Sequence, residues 1–179
     1  EHKINLLPVD AFEAIKGKYP LLLRAGNDLT ISGDFANINW YGRGPGENYW
    51  DRKTNTFIGQ YTQTIDEQYY PYARPQESGN HTEVRWVSFS NSTGRKIKFI
   101  YNDSLLSFSA LPYHLNDLDP EMNKKQYHSG ELIKRPEIYL HMDLNQTGLQ
   151  GMDSWGAWPL EKYRVPFKNY AYSYWIKFD

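Results

Sequence analysis

Glu83-Val84-Arg85-Trp86-Val87-Ser88-Phe89-Ser90, followed by Asn91-Ser92-Thr93-Gly94 and then Lys96-Ile97-Lys98-Phe99-Ile100-Tyr101, reads as two strands joined by a turn. β-branched and aromatic residues favour extended backbone, and the Asn/Ser/Thr/Gly cluster between them has the composition of a hairpin connection. The same grammar recurs outward in both directions. Leu21 to Leu23, Ala36 to Tyr41, Leu105 to Ala110 and Glu137 to Leu144 are further strand candidates, each bounded by Gly, Pro, Asn or Asp. In Asn169 to Phe178, the residues Tyr170, Tyr172, Tyr174 and Ile176 fall on one face, as in a half-buried strand. Helical periodicity is scarce, so the pattern indicates antiparallel β structure. The exception is a short helical connector expected near 116–132, where Asp117, Asp119 and Glu121 precede Lys124 and Lys125. The opening segment, residues 1–20, is the least legible: Ile4, Leu6 and Phe12 suggest a strand, while Ala11 to Lys16 tolerates a helical turn.

The length of 179 residues fits one domain with a substantial core. Hydrophobic and charged fractions of 40% and 23% are those of a soluble folded chain. A formal net charge of −1 removes the long-range attraction on which nonspecific binding to nucleic acid or anionic lipid depends, so neither a nucleic acid nor a membrane is an expected partner. No run approaches the roughly 18 apolar residues of a membrane-spanning helix. The chain contains no cysteine, which excludes disulfides, thiolate metal sites and a cysteine nucleophile. The histidines at 2, 81, 114, 128 and 141 show no metal-binding spacing, and no metal or cofactor is expected. His141 and Asp143 would share one face of a strand, an arrangement far commoner as a surface pair than as a site.

Three segments could carry chemistry. Trp40 to Lys53 places three glycines and a proline between aromatic pairs, as a sharp turn would, and can hold Glu47, Asn48 and Arg52 in a fixed hydrogen-bonded arrangement. It has neither the Gly-Lys-Ser/Thr nor the following helix of a phosphate cradle. Tyr69 to His81, with Glu83 and Arg85 beyond, concentrates Arg and Glu in a Pro-rich stretch suited to a buried ion-pair network. The competing reading, a catalytic carboxylate at Glu77 or Glu83, lacks a second acid tied to either by local spacing. Gly148 to Pro159 contains Asp153, Ser154, Trp155 and Trp158 in a Gly-rich loop. These tryptophans either pack into a core or present a ring to the C–H face of a sugar while Asp153 bonds a hydroxyl.

The stretch Asn39-Trp40-Tyr41-Gly42-Arg43-Gly44-Pro45, with Glu47-Asn48-Tyr49 and Asp51-Arg52, closely resembles a motif of the C-terminal domain of family-2 β-galactosidases. Tyr69 and Tyr72, Pro75 and Glu77, and the pair Arg85-Trp86 resemble the family's next block, and Gly151-x-Asp153-Ser154-Trp155 its last. The resemblance runs from about Leu21 to the end of the chain. It implies an antiparallel β-sandwich, a supersandwich similar to the galactose mutarotase fold, over residues 21–179. It further implies that these residues are the later part of a longer domain that follows a TIM-barrel catalytic domain. Trp155 aligns with a Trp that stacks on sugar in the barrel's active site, with Asp153, Ser154 and Trp158 as weaker substrate contacts. Glu47, Asn48, Arg52, Glu77 and Arg85 look like framework. The family's retaining mechanism uses two glutamates about 5 Å apart, both carried by the barrel. No catalytic residue is therefore expected in this chain, which should be inactive alone, its partners being a galactoside and the barrel. Two other roles stand beside this one: a carbohydrate-binding module acting by itself, and a domain serving only folding and assembly.

Overall fold

A computed structural model describes the backbone of residues 2–5 and, in full, residues 21–74, 76–102, 104–119, 127–149 and 157–179. The hairpin stretch forms as its composition dictates. Strand β7 (Trp86–Ser90) pairs antiparallel with β8 (Lys96–Tyr101), placing Val87 opposite Phe99 and Phe89 opposite Ile97. Asn91 closes the turn, its Oδ1 accepting from the backbone N–H groups of Thr93 and Arg95, with Gly94 at φ +85°.

The other strands are β1 (His2–Asn5), β2 (Leu21–Leu22), β3 (Arg24–Ser32), β4 (Asn37–Gly44), β5 (Phe57–Thr64), β6 (His81–Val84), β9 (Leu106–Leu111), β10 (Glu137–Gln146), β11 (Val165–Pro166) and β12 (Ala171–Phe178). They assemble into a six-stranded sheet, β1-β12-β8-β7-β4-β5, a four-stranded sheet, β3-β10-β9-β6, and a small β11-β2 ribbon. All the pairings are antiparallel. The two large sheets bury alternate residues against each other, so the fold is an all-β sandwich. Ile38, Trp40, Val87, Phe89, Phe99 and Tyr174 come from the larger sheet; Val84, Leu106, Phe108, Ala110, Ile138, Leu140 and Met142 come from the smaller. Trp40 and Phe108 meet across the interface edge to face, with ring centroids 6.0 Å apart. In β12, Tyr174 is buried while Tyr172 and Ile176 pack against the same core, as the alternation of that strand requires.

Four expectations change in detail. The run from Glu83 to Ser90 is not one strand: β6 belongs to the smaller sheet and β7 to the larger, with Arg85 between them. Glu83 adopts φ +54°, a conformation few non-glycine residues accept, where the chain crosses between layers. The turn expected from Gly42 starts later, because Gly42-Arg43-Gly44 continue β4 and the reversal lies between Pro45 and Thr56. Gly42 provides clearance: a Cβ there would stand 2.9 Å from the Cα of Val84. Three strands have no counterpart among the sequence candidates: β3, where Gly26-Asn27-Asp28 has turn composition; β5, where Gly59, Gln60, Thr62 and Gln63 have polar loop composition on a sheet edge; and β11, which is only two residues long. The connector near 116–132 is not one continuous helix in its described part. A single α-turn, α1 (Leu115–Leu118), is capped by His114 and Asp117, and a separate 3₁₀ turn spans Ser129–Glu131. In the opening segment, the backbone of β1 pairs with β12, and residues 6–20 lie outside the described residues.

Candidate functional site

The reversal after β4 is held by side chains that look inward. Asn48 is fully buried; its Oδ1 accepts from the backbone N–H of Thr82 (2.9 Å) and from Thr82 Oγ1 (2.6 Å). Its backbone exchanges bonds with Asn80: Asn48 N–H donates to the Asn80 carbonyl (2.7 Å), and Asn80 Nδ2 donates to the Asn48 carbonyl (2.8 Å). Beside this pin, the Glu47 carboxylate accepts from Arg52, from Tyr72 Oη and from the backbone N–H of Gly79 (2.8 Å). Arg52 in turn donates to Tyr72 Oη (2.7 Å). The hydrogen-bonded set expected of Glu47, Asn48 and Arg52 thus splits in two, and both parts bind the first segment to the second.

Further charges draw on distant strands. Arg24, at the start of β3, donates to Glu77 (3.0 Å) and stands 3.3 Å from Asp143 Oδ2 on β10. The second contact has charge attraction without hydrogen-bond alignment, and both Asp143 oxygens lack a hydrogen-bond partner among the described residues. Burial pushes the Asp143 carboxyl up to about 6, against the pull of Arg24. Burial would also raise Glu83, but Lys53 and Arg43 outweigh it and hold that carboxyl below the usual range. The Arg43 contact is 2.9 Å. The ion-pair network expected around the second segment therefore exists, with partners from elsewhere: Arg24 for Glu77, Arg43 and Lys53 for Glu83. Arg24 escaped the sequence reading. Its only signal was a lone cation directly after three leucines.

The histidines take structural positions. His81 is buried against Trp40, ring centroids 4.5 Å apart, and burial lowers its pKa to about 4, so it is neutral near pH 7. His141 does not act with Asp143: its Nδ1 lies 2.5 Å from Asp28, while Asp143 turns into the interior. Among the described residues, no three His, Asp or Glu side chains converge as a metal site would require. No helix among them is long and apolar enough to cross a membrane.

The third segment joins the first through its described flank. Asp51 Oδ1 accepts from the backbone N–H of Leu149 (3.1 Å), and Gly148 N–H donates to the Tyr163 carbonyl (2.9 Å). A side chain at 148 would disturb this joint, since a Cβ would fall 2.4 Å from the Asp51 carboxylate. On the far side, Arg164 Nε donates to the Pro159 carbonyl (2.7 Å). Trp158 is 54% exposed. Asp153, Ser154 and Trp155 lie outside the described residues. The described parts of the three segments are thus joined to one another by hydrogen bonds. Glu47, Glu77, Glu83 and Asp143 there each face an Arg or Lys, so these acids serve as anchors.

The family model of the β-galactosidase small chain matches residues 3–176, which includes the opening residues that carried no recognisable motif. The chain is 34% identical over 154 residues to a β-galactosidase of Priestia megaterium, covering 86% of this chain and 14% of that protein. It is 31% identical over 152 residues to β-galactosidase BgaC of Bifidobacterium adolescentis, covering 84% of the chain and 14% of the relative. With a β-galactosidase of Staphylococcus xylosus it shares 30% identity over 161 residues, 90% of the chain and 15% of the relative. The chain therefore spans about one-seventh of these relatives' length, and it belongs to the β-galactosidase small-chain family.

Proposed function

We propose that this chain is the substrate-contacting and scaffolding part of a β-galactosidase whose catalytic glutamates lie on another part of the protein. In this reading residues 21–179 are the later part of a supersandwich domain of galactose mutarotase type, seated against a TIM barrel. Trp155 stacks on the galactoside, with Asp153, Ser154 and Trp158 as supporting contacts. The observation that carries the reading is the bond from Leu149 N–H to Asp51, which ties the base of the Trp-bearing segment to the Glu47–Asn48 framework. A ring that stacks on sugar needs such a base, because ordering a free loop would consume the weak stacking energy. The state of the carboxylates supports a noncatalytic role. A retaining glycosidase needs one ionised nucleophile and one protonated acid facing the same bond, whereas Asp143 is wholly buried and Glu83 is held by two cations.

The test is Trp155→Ala in the full-length β-galactosidase. Loss of a stacked ring should raise KM by roughly tenfold, the equivalent of 1–2 kcal/mol, with a smaller fall in kcat. Unchanged KM and kcat would remove Trp155 from the site.

A further inference from the structure

Four strands end the two large sheets, β1 and β5 in the larger and β3 and β6 in the smaller. An open edge is a row of backbone donors and acceptors ready to pair with another strand, and proteins blunt such edges with short strands, charges, proline or bulges. Three of these edges are blunted. β1 has four residues and contains Lys3; β6 also has four, contains Glu83 and is irregular in register against β9. β3 carries Arg24 and Asp28 and shifts register against β10. β5 has none of these devices. Its eight residues, Phe57–Thr64, include no charge and no proline, and they pair with β4 without a register shift. Phe57 is 72% exposed and Ile58 39%.

The ladder with β4 shows which backbone groups are open. Ile65 N–H donates to the Ala36 carbonyl, so Asn37 and Thr64 form a non-hydrogen-bonded pair. By alternation Gly59, Tyr61 and Gln63 turn their backbone groups to β4, while those of Ile58, Gln60, Thr62 and Thr64 point away from it. Thr64 N–H is taken by Glu67 Oε2 (2.7 Å), which closes the edge at that end. The open set is therefore Ile58, Gln60 and Thr62, and it is symmetrical about Gln60, with a β-branched residue on either side. An antiparallel copy centred on Gln60 places Ile58 opposite the partner's Thr62, a packing well suited to a cross-strand pair. The lack of charge favours a copy in particular, because a charged residue at the centre of such an edge would face its own like charge. We propose that β5 is a self-association edge, through which two copies of this chain join their larger sheets about a twofold axis at Gln60. A contact between two strands of this length is at the small end of protein interfaces, so the dimer is weak. The inference stands on the edge alone and is independent of the function proposed above.

The test is sedimentation equilibrium of the 179-residue chain, with hydrogen exchange read at Ile58, Gln60 and Thr62. The expected result is a monomer–dimer equilibrium with Kd on the order of 100 µM, and exchange at those residues slowed roughly tenfold or more once the dimer predominates. Gln60 is exposed, so charging it leaves the core intact. Gln60→Lys sets like charges opposite each other across the axis and should weaken the dimer about fivefold. Gln60→Glu should do the same, and an equimolar mixture of the two variants should associate more tightly than either alone. A chain that stays monomeric, or a dimer that neither substitution weakens, overturns the proposal. So does a mixture no tighter than its components, which would put another register or another surface at the contact. Protection of the same amides in dilute, monomeric full-length β-galactosidase would give the edge to a strand of the longer protein, and likewise overturns it.

Discussion

The pin around Asn48 and the contact between Arg24 and Asp143 are both buried, and they differ in how the polar atoms at their centres are matched. At the pin, the Asn48 side-chain and backbone polar groups are matched by Thr82, Asn80 and Gly46. At the contact with Arg24, both Asp143 carboxylate oxygens are buried without a hydrogen-bond partner among the described residues. Matched groups fix geometry, whereas an unmatched buried carboxylate costs stability when it ionises. The difference separates residues that hold the geometry of the sandwich from a buried acid that makes its stability depend on pH.

The sharpest way to break this contrast is Asn48→Ala. It strips Thr82 of a buried acceptor for two donors, and should cost about 3–5 kcal/mol of unfolding free energy in denaturant titration. A cost near that of a surface substitution would mean that the pin is not structural. Next in size is Asp143, whose folded pKa of about 6 lies above its ordinary value. The unfolded chain releases this proton first, so the contribution of Asp143 to stability is full below about pH 4 and is lost as pH rises through 6. Asp143→Asn should remove this pH dependence, worth on the order of 3 kcal/mol, in urea midpoints measured from pH 4 to 7. A variant whose profile parallels the parent's would refute the assignment.

Gly148→Ala tests the joint between the pin and the Trp-bearing segment. The added Cβ collides with Asp51 and should cost about 1–3 kcal/mol while increasing hydrogen exchange at Leu149. Slow exchange at Leu149 in the variant would show that Asp51 does not hold the flank. At the small end, Trp158→Ala should change stability by less than about 0.5 kcal/mol, since most of the side chain faces solvent. A larger loss in thermal unfolding would place Trp158 with the framework.

Much of this could be read from the residues. Strands with clean alternation, such as β4 and β7, were legible because one face of each packs in the core. The edge strand β5 and the Gly-Asn-Asp start of β3 were not, since pairing with a neighbour overrides their local turn and loop composition. At the site, Glu47, Asn48 and Arg52 were visible as a dense polar group, yet their partners Thr82, Tyr72 and Asn80 come from the second segment and only the fold brings them together. Arg24 carried no local pattern, and its importance arises from where β3 places it beside β10.

The most direct test of the central claim is hydrolysis of a chromogenic β-galactoside by the purified 179-residue chain, measured beside the full-length β-galactosidase. The account expects no turnover by the chain alone and full activity in the longer protein. Turnover by the chain that survives repurification and scales with its concentration would mean that carboxylates within these residues perform the chemistry, contradicting the account.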